Sequence, residues 1–276
     1  RWPLGHGDQF PAGWTGYPAL YISNHRLSLW SNDPSSDLPV GTSDKTWIDY
    51  ECQRCLDSRQ FRRGLAYMVD KTDQVAFTHG AVQGLGRSLF WPSMKSWEAT
   101  GLTWYNYSLA DAAVAFEAGG FKDWDNDKIM EYSPGHNGVV VEELPVLQIY
   151  TRKDDDDRIN AATLFDWDLG LLGIPRNTIP AWPSEVSTNV WANYDYDIYF
   201  EYWPWDPLPN FYSEWFRSGA DIYPDPWGNN EHRFHSKEFD VPAAFFSNST
   251  SVDAARPYCD EMQRIINRDV PAIPYY

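Results

Sequence analysis

The sequence predicts an α/β fold, a mostly parallel sheet with helices on both faces, and three observations carry that prediction. From residue 139 onward, strand-like alternation and helix-like periodicity take turns, the pattern of repeated βαβ units. Residues 56–70 hold a helix specified both at its start and along its buried face. The 276-residue length, with 43% hydrophobic residues, supplies a core for one large or two modest domains.

Residues 1–50, rich in Pro, Gly, Trp and Ser, read mostly as loop, with one strand at residues 19–23. In the helix that follows, Asp57 stands as the cap, Gln60 as its capping-box partner, and Leu56 with Phe61 as a hydrophobic staple. Phe61, Leu65, Met68 and Thr72 recur at helical spacing, so this face packs inward and Arg59, Arg62 and Arg63 are expected largely outside. Ser108 caps a second helix through Ala118, and Gly119 with Gly120 ends it. Residues 139–150 read as one or two strands interrupted by Pro145. Four aspartates at 154–157 then lead into a third helix, where negative charge suits the positive helix end. Its buried face is Ile159, Ala162, Phe165, Leu169 and Leu172, and Gly173 with Pro175 stops it. A short strand at 177–179, a helix at 184–192 and a strand at 197–202 continue the alternation. The last helix, 253–267, places Pro257 in its first turn, and residues 272–276 form a closing strand.

No run approaches the ~18 apolar residues of a membrane span, and the formal net charge of -17 disfavours nucleic acid and anionic membrane surfaces as partners. Cys259 falls on the stripe Val252, Ala255, Cys259, Met262 and Ile266, which reads as a buried thiol. Cys52 and Cys55 form a lone C-x-x-C. A local disulfide and two reduced structural cysteines are its readings, because zinc needs a second ligand pair that the sequence lacks.

Asp123, Asp125 and Asp127 have the alternate spacing of calcium-loop ligands, with Ile129 able to offer a carbonyl and Glu131 another carboxylate. Against that reading, Lys128 replaces the turn glycine and Pro134 the bidentate glutamate of an EF-hand, and a solvated acidic turn is the alternative. His232 and His235, beside Glu231 and Glu238, are a weaker metal candidate. The aromatic loop Tyr199, Phe200, Glu201, Tyr202, Trp203, Pro204, Trp205, Asp206 follows a strand end, where open α/β sheets place ligands. Flat indoles at Trp203 and Trp205 suit stacking on a ligand, and packing is their other reading. No G-x-S-x-G, H-E-x-x-H or phosphate loop occurs, and among carboxylate pairs Glu142 and Glu143 point to opposite faces of a strand. Asp195 and Asp197 are the other pair, so binding is expected rather than catalysis, with a glycoside hydrolase as the out-of-class alternative.

Several ordered blocks point further. The wording from Phe61 to Val75, with Gly80 beyond it, is followed by Trp97, by Asp111-Ala112-Ala113 running to Phe121, and by the acidic loop at Asp123. Then come Leu171-Leu172-Gly173-Ile174, Tyr196-Asp197-Ile198 and Asp206-Pro207 with Phe211. Residues 230–240, then Met262 to Ile266 with Asp269-Val270-Pro271-Ala272-Ile273-Pro274, close the series. In this order the blocks resemble those of the peptide/nickel-type (family 5) extracellular solute-binding proteins of ABC importers, over roughly residues 21–276.

The resemblance implies a periplasmic-binding-protein-like lobe, the C-terminal one of two, with residues 1–50 as a hinge segment, 51–276 as the α/β core and the first lobe absent. It implies an exported protein, periplasmic or extracellular and anchored to the membrane through a missing segment, that binds oligopeptides by lobe closure and presents them to a membrane permease as a monomer. Oligosaccharides are the second ligand class. No cofactor is expected beyond the candidate calcium. Arg152 aligns with an arginine that some relatives use on a peptide carboxylate, a task suited to its two-pronged donor. Its plainer reading is a cation offsetting the four aspartates. Trp203 stands where peptide-binding relatives carry an aspartate for the ligand's amino group, leaving Asp206 or Glu201 to take that role and favouring a sugar ring or apolar side chain at Trp203.

Overall fold

The computed structural model describes residues 17–22, 55, 58–73, 88–90, 96–133, 135–192, 195–203, 209–218, 230, 234 and 236–274. Its main sheet has five strands in the order β6-β5-β7-β1-β8. They are β1 (Tyr17–Ile22), β5 (Leu147–Arg152), β6 (Arg176–Ala181), β7 (Ile198–Trp203) and β8 (Ala272–Pro274). Strand β5 pairs in parallel with β6 and β7, whereas β1 pairs antiparallel with β7 and β8. The four strands other than β1 therefore run one way, as a mostly parallel sheet requires.

Alternate residues of the strands serve two cores. Ile149, Ile198 and Phe200 face the larger one, where Phe165 of the helix α3 (Asp156–Leu171) meets Phe200 edge-on at 5.9 Å. Tyr150, Ala181 and Tyr199 face the smaller one, covered by Val186 of α4 (Pro183–Val186) and by Val190 of its π-helical continuation Ser187–Ala192. Consecutive crossovers thus place helices on opposite faces. A second sheet, not expected from the sequence, joins β2 (Phe121–Lys122), β3 (Glu131–Tyr132) and β4 (Glu142–Glu143) in an antiparallel meander.

Helix α1 spans Arg59–Tyr67, and its cap is Ser58 rather than Asp57: the Ser58 hydroxyl accepts from the Phe61 amide at 3.3 Å. The capping box with Gln60 does not form, because a Ser58 cap puts Phe61 at the third helical position. The inward stripe is Phe61 and Leu65, continued by Met68, while Thr72 lies exposed past the helix end. Phe61 packs against Phe116 of α2 (Leu109–Ala118) at 4.8 Å and against Phe121 at 4.9 Å. Ser108 caps α2 as predicted, accepting from the Asp111 amide at 3.0 Å, and its own amide donates to the Tyr67 carbonyl, tying α2 to the end of α1.

Of the arginines of α1, Arg59 is exposed as expected and Arg63 is half-buried, but Arg62 does not face solvent. Arg62 is buried, with its Nε donating to the Asp269 carbonyl at 2.8 Å, and Arg63 Nε donates to the Arg268 carbonyl at 3.1 Å. These carbonyls end α7 (Val252–Asp269), where a helix leaves acceptors without intrahelical donors. Arg59 adds an ion pair to the buried Asp269 carboxylate at 2.7 Å. Val270 then turns in the left-handed region, φ 52°, and hands the chain to β8.

Along α7, Ala255, Cys259, Met262 and Ile266 are buried as the stripe predicted, but Val252 is exposed, because Ser251 caps the helix and leaves it in the first turn. Pro257 accordingly lies past that turn. On α3, Ala162, Phe165 and Leu169 are buried, while Ile159 and Leu172 are only half-buried, their places taken by Arg158 and Ala161. Gly173 ends this region at φ 72°, and a Cβ there would clash with the Lys128 carbonyl oxygen. That approach carries a hydrogen bond from the Met130 amide to the Gly173 carbonyl, which docks the meander at the start of β6. Cys55 is buried, and Cys52 lies outside the described residues.

Lys71, just past α1, is buried beside the Trp104 ring, its Nζ 5.2 Å from the ring centre. Burial holds its ammonium down to about 7. An unfolded lysine titrates near ~10.4, so the folded state carries the full cost of the buried charge below pH 7 and loses it as pH rises past that value. Stability is expected to increase by about 2 kcal/mol from pH 7 to pH 9. Denaturant titrations across that window check it: Lys71→Met should flatten the slope, and an unchanged slope in that variant would sink the assignment.

Candidate functional site

In open α/β sheets ligands sit beyond the carboxyl ends of the strands. Here Arg152, Ala181, Trp203 and Pro274 end β5, β6, β7 and β8 along one edge, with Tyr17, the start of β1, opposite Trp203. Arg152 is level with Ala181. Continuing the β5–β7 register from Tyr150↔Tyr199 sets Glu201 level with Arg152 and puts Tyr202 and Trp203 just beyond. The fold therefore gathers four of the predicted residues, Arg152, Glu201, Tyr202 and Trp203, by their backbone positions. Trp205 and Asp206 lie outside the described residues, as do His232 and His235.

Arg152 is a forked donor already engaged. Its Nε meets Asp154 Oδ1 at 3.0 Å and its Nη2 meets Oδ2 at 2.7 Å. That bidentate bond, opposed by partial burial, holds the Asp154 carboxyl below the usual carboxylate range. Asp155 caps α3 by accepting from the Arg158 amide at 3.2 Å, which explains locally why the aspartate run precedes a helix.

The edge also holds a residue that the sequence pattern did not single out. Trp182 follows β6 and is 51% exposed. Its amide donates to Glu185 Oε2 at 2.7 Å, and the Lys153 Nζ lies 4.3 Å from the centre of its ring. Lys153 is set in turn by its amide, which donates to the Ala181 carbonyl at 3.0 Å. The available signal was a Trp-Pro pair at a strand-to-helix junction, hidden because the predicted strand stopped at residue 179. Beyond β7, the helices α5 (Asn210–Phe216), α6 (Lys237–Ser247) and α7 leave a groove of about 460 Å³, bordered by Trp97, Asn210, Ser213, Glu214, Ser249 and Thr250.

The Asp195 and Asp197 pair is divided. Asp195 is exposed, whereas Asp197 is buried and accepts the Gln148 amide at 2.8 Å, a bond that fastens β7 to β5. Asp123, Asp125, Asp127 and Glu131 are brought together in the β2–β3 turn, with one oxygen from each within 4.8 Å of the others. They are the cluster among the described residues that could hold a metal ion. Their oxygens also receive the turn's own amides: Asp127 onto Asp123 and Asp125 at 3.1 Å, Lys128 onto Asp123 at 3.0 Å, Ile129 onto Asp127 at 2.7 Å. Lys128 itself takes the left-handed conformation, φ 77°, that a glycine holds in an EF-hand. Burial raises the Glu131 carboxyl, the Trp124 amide opposes that, and the three aspartates add to it. Because the turn docks through Gly173 at the start of β6, it lies toward the opposite edge of the sheet from Arg152 and Trp182.

No family model and no curated protein matches this chain. Solved structures do. An oligopeptide binding protein from Thermus thermophilus, complexed with a pentapeptide, matches with a TM-score of 0.72 at 15% identity, covering 94% of this chain and 41% of that one. NikZ from Campylobacter jejuni, in complex with Ni(L-His), matches with a TM-score of 0.71 at 16% identity, over 94% and 44%. A periplasmic oligopeptide-binding protein from Thermotoga maritima, bound to mannohexaose, matches with a TM-score of 0.69 at 16% identity, over 94% and 43%. The shared fold is that of a periplasmic-binding-protein-like lobe, and the chain spans less than half the length of these proteins.

Proposed function

We propose that this chain is the C-terminal lobe of an extracellular or periplasmic solute-binding protein of the peptide/nickel type, serving an ABC importer. The observation that carries this reading is the convergence of Arg152, Glu201, Tyr202, Trp203 and the exposed Trp182 on one carboxyl edge of a sheet whose fold is shared with such receptors. The ligand is held by closing this edge against a second lobe, and the work is binding rather than turnover. A closed, liganded form then docks on a membrane permease. Among the described residues no helix is long and apolar enough to cross a membrane.

Oligopeptides are the ligands that the family resemblance implies, with Arg152 on a carboxylate and Asp206 or Glu201 on an amino group. Oligosaccharides are the second reading, favoured by the exposed Trp182 indole at the same edge. Thermal-shift and calorimetric screening of the full-length protein against both classes tests the proposal. A ligand at one hundred times its Kd is expected to add about 2.7 kcal/mol of stability. Indifference to both classes, or turnover of a saccharide lost on changing a carboxylate, would overturn the receptor reading.

A further inference from the structure

We infer that a cavity enclosed by the end of α1, by α5, by α7 and by β8 binds a monatomic anion, a halide such as chloride, through Lys71, Ser88 and Tyr212. It borders β8, at the far end of the strand order from β6, and this anion site is independent of the receptor reading. The cavity measures about 20 Å³. Room of ~10–15 Å³ holds one water, so a single-atom ion fits and an oxyanion such as sulfate does not. Lys71, Ser88 and Tyr212 are each more than nine-tenths buried.

What the cavity offers is donors. Its side-chain acceptors are already used: Gln263 Oε1 receives the Ala99 amide at 3.0 Å and Asn267 Oδ1 the Thr103 amide at 2.7 Å. Tyr105 donates to the Asn267 carbonyl at 2.9 Å and receives Arg63. Tyr212 receives the Leu89 amide at 3.2 Å, and Ser88 receives the Phe90 amide at 3.3 Å. Among the described residues neither of these two hydroxyls has an acceptor for its own hydrogen, and a buried O–H without one is costly. Lys71 adds an ammonium, which has donors only. A water would accept from these groups and then find no spare side-chain acceptor for its own two hydrogens. An anion accepts from all three and brings the charge that a buried ammonium calls for.

Burial holds the Lys71 ammonium down to about 7, so above that pH an anion and a proton enter together. The other titratable groups around the cavity are Tyr105, Tyr212 and, beside Tyr212, Cys259; burial raises all three, which keeps them neutral in this range. Arg63 and Asp269 act on Tyr105, Glu98 acts on Tyr212, and Asp70 and Asp73 flank Lys71 along the chain.

Chloride NMR line broadening by the full-length protein tests this, with bromide as the competitor and gluconate as the control at matched ionic strength. The expected result is an excess linewidth that bromide removes and gluconate does not. Chloride affinity should fall about tenfold for each pH unit above the Lys71 value, as the ammonium is lost. Lys71→Met should abolish the broadening, and Tyr212→Phe, which keeps the ring and removes the donor, should weaken chloride by about tenfold. Thermal melts of both variants check that they fold, and the wild-type pH profile decides the matter even where one does not. No excess linewidth in the wild type, a pH-independent one, or one that persists in a folded Lys71→Met would overturn the anion site.

Discussion

Asp269→Ala is expected to lower the unfolding free energy by about 1.5–3 kcal/mol, because it removes the buried carboxylate that the part-exposed Arg59 and Arg268 share, while Arg268 keeps its pair with Glu238. The Asp269 carboxylate receives Arg268 through both oxygens at 2.8 Å and Arg59 at 2.7 Å, while its carbonyl receives Arg62. Arg268 also forks onto Glu238 at 2.8 Å in both arms, which brings α6 into the same junction and holds the Glu238 carboxyl below its ordinary range. Three helices and the turn into β8 therefore meet at the Arg268–Asp269 pair. Equilibrium urea unfolding measures the loss, and Glu117→Ala, which breaks the exposed Lys122–Glu117 pair, serves as the comparison at about 1 kcal/mol or less. Equal, small losses in both variants would refute the junction's role.

Gly64→Ala should destabilise the protein by about 2 kcal/mol, against the helix-propensity expectation of a gain near ~1 kcal/mol. A Cβ at position 64 would run into the Phe116 ring, which is wholly buried between α1 and α2 and already packed on Phe61. The ring can leave only by disturbing that contact. Adding Phe116→Leu in the same chain should recover most of the Gly64→Ala cost, a coupling that a double-mutant cycle reads directly. A stabilised Gly64→Ala variant would mean that the two helices yield easily at their closest approach.

Both predictions turn on residues whose helix was legible while their partners were not. The helices at α1, α2, α3 and α7 could be read because caps and periodicity act within a few residues, and Ser108, Gly119 and Gly173 are such local signals. The same local view misassigned Arg62. Helical spacing tells which residues share a face, but it does not tell that a helix end from the far side of the sequence will present bare carbonyls to the other face. The two-residue strands of the meander are too short to show alternation, and Pro180 hid the last part of β6, taking Trp182 out of the predicted site.

For the candidate site, the local signal reached as far as strand ends: an aromatic loop after β7 and an arginine after β5 could be placed beyond a sheet edge from pattern alone. Whether those ends lie side by side depends on strand order. The order β6-β5-β7 sets Trp182 and Lys153 beside Arg152 and Glu201, while the Met130–Gly173 bond docks the acidic turn before the start of β6, away from them.

The class of fold, the places where helices begin and end, and the kind of receptor that the ordered blocks resemble are all legible along the chain, because caps, periodicity and motif order are written between near neighbours. The packed fold was needed to show that Arg152 is forked onto Asp154, that Arg59, Arg62 and Arg63 close the end of α7, and that Trp182 stands exposed at the carboxyl edge of the sheet. The difference is one of range. Hydrogen bonds and ion pairs between segments some two hundred residues apart, such as Arg62 with Asp269, depend on how sheets and helices are stacked, and no local pattern encodes that stacking.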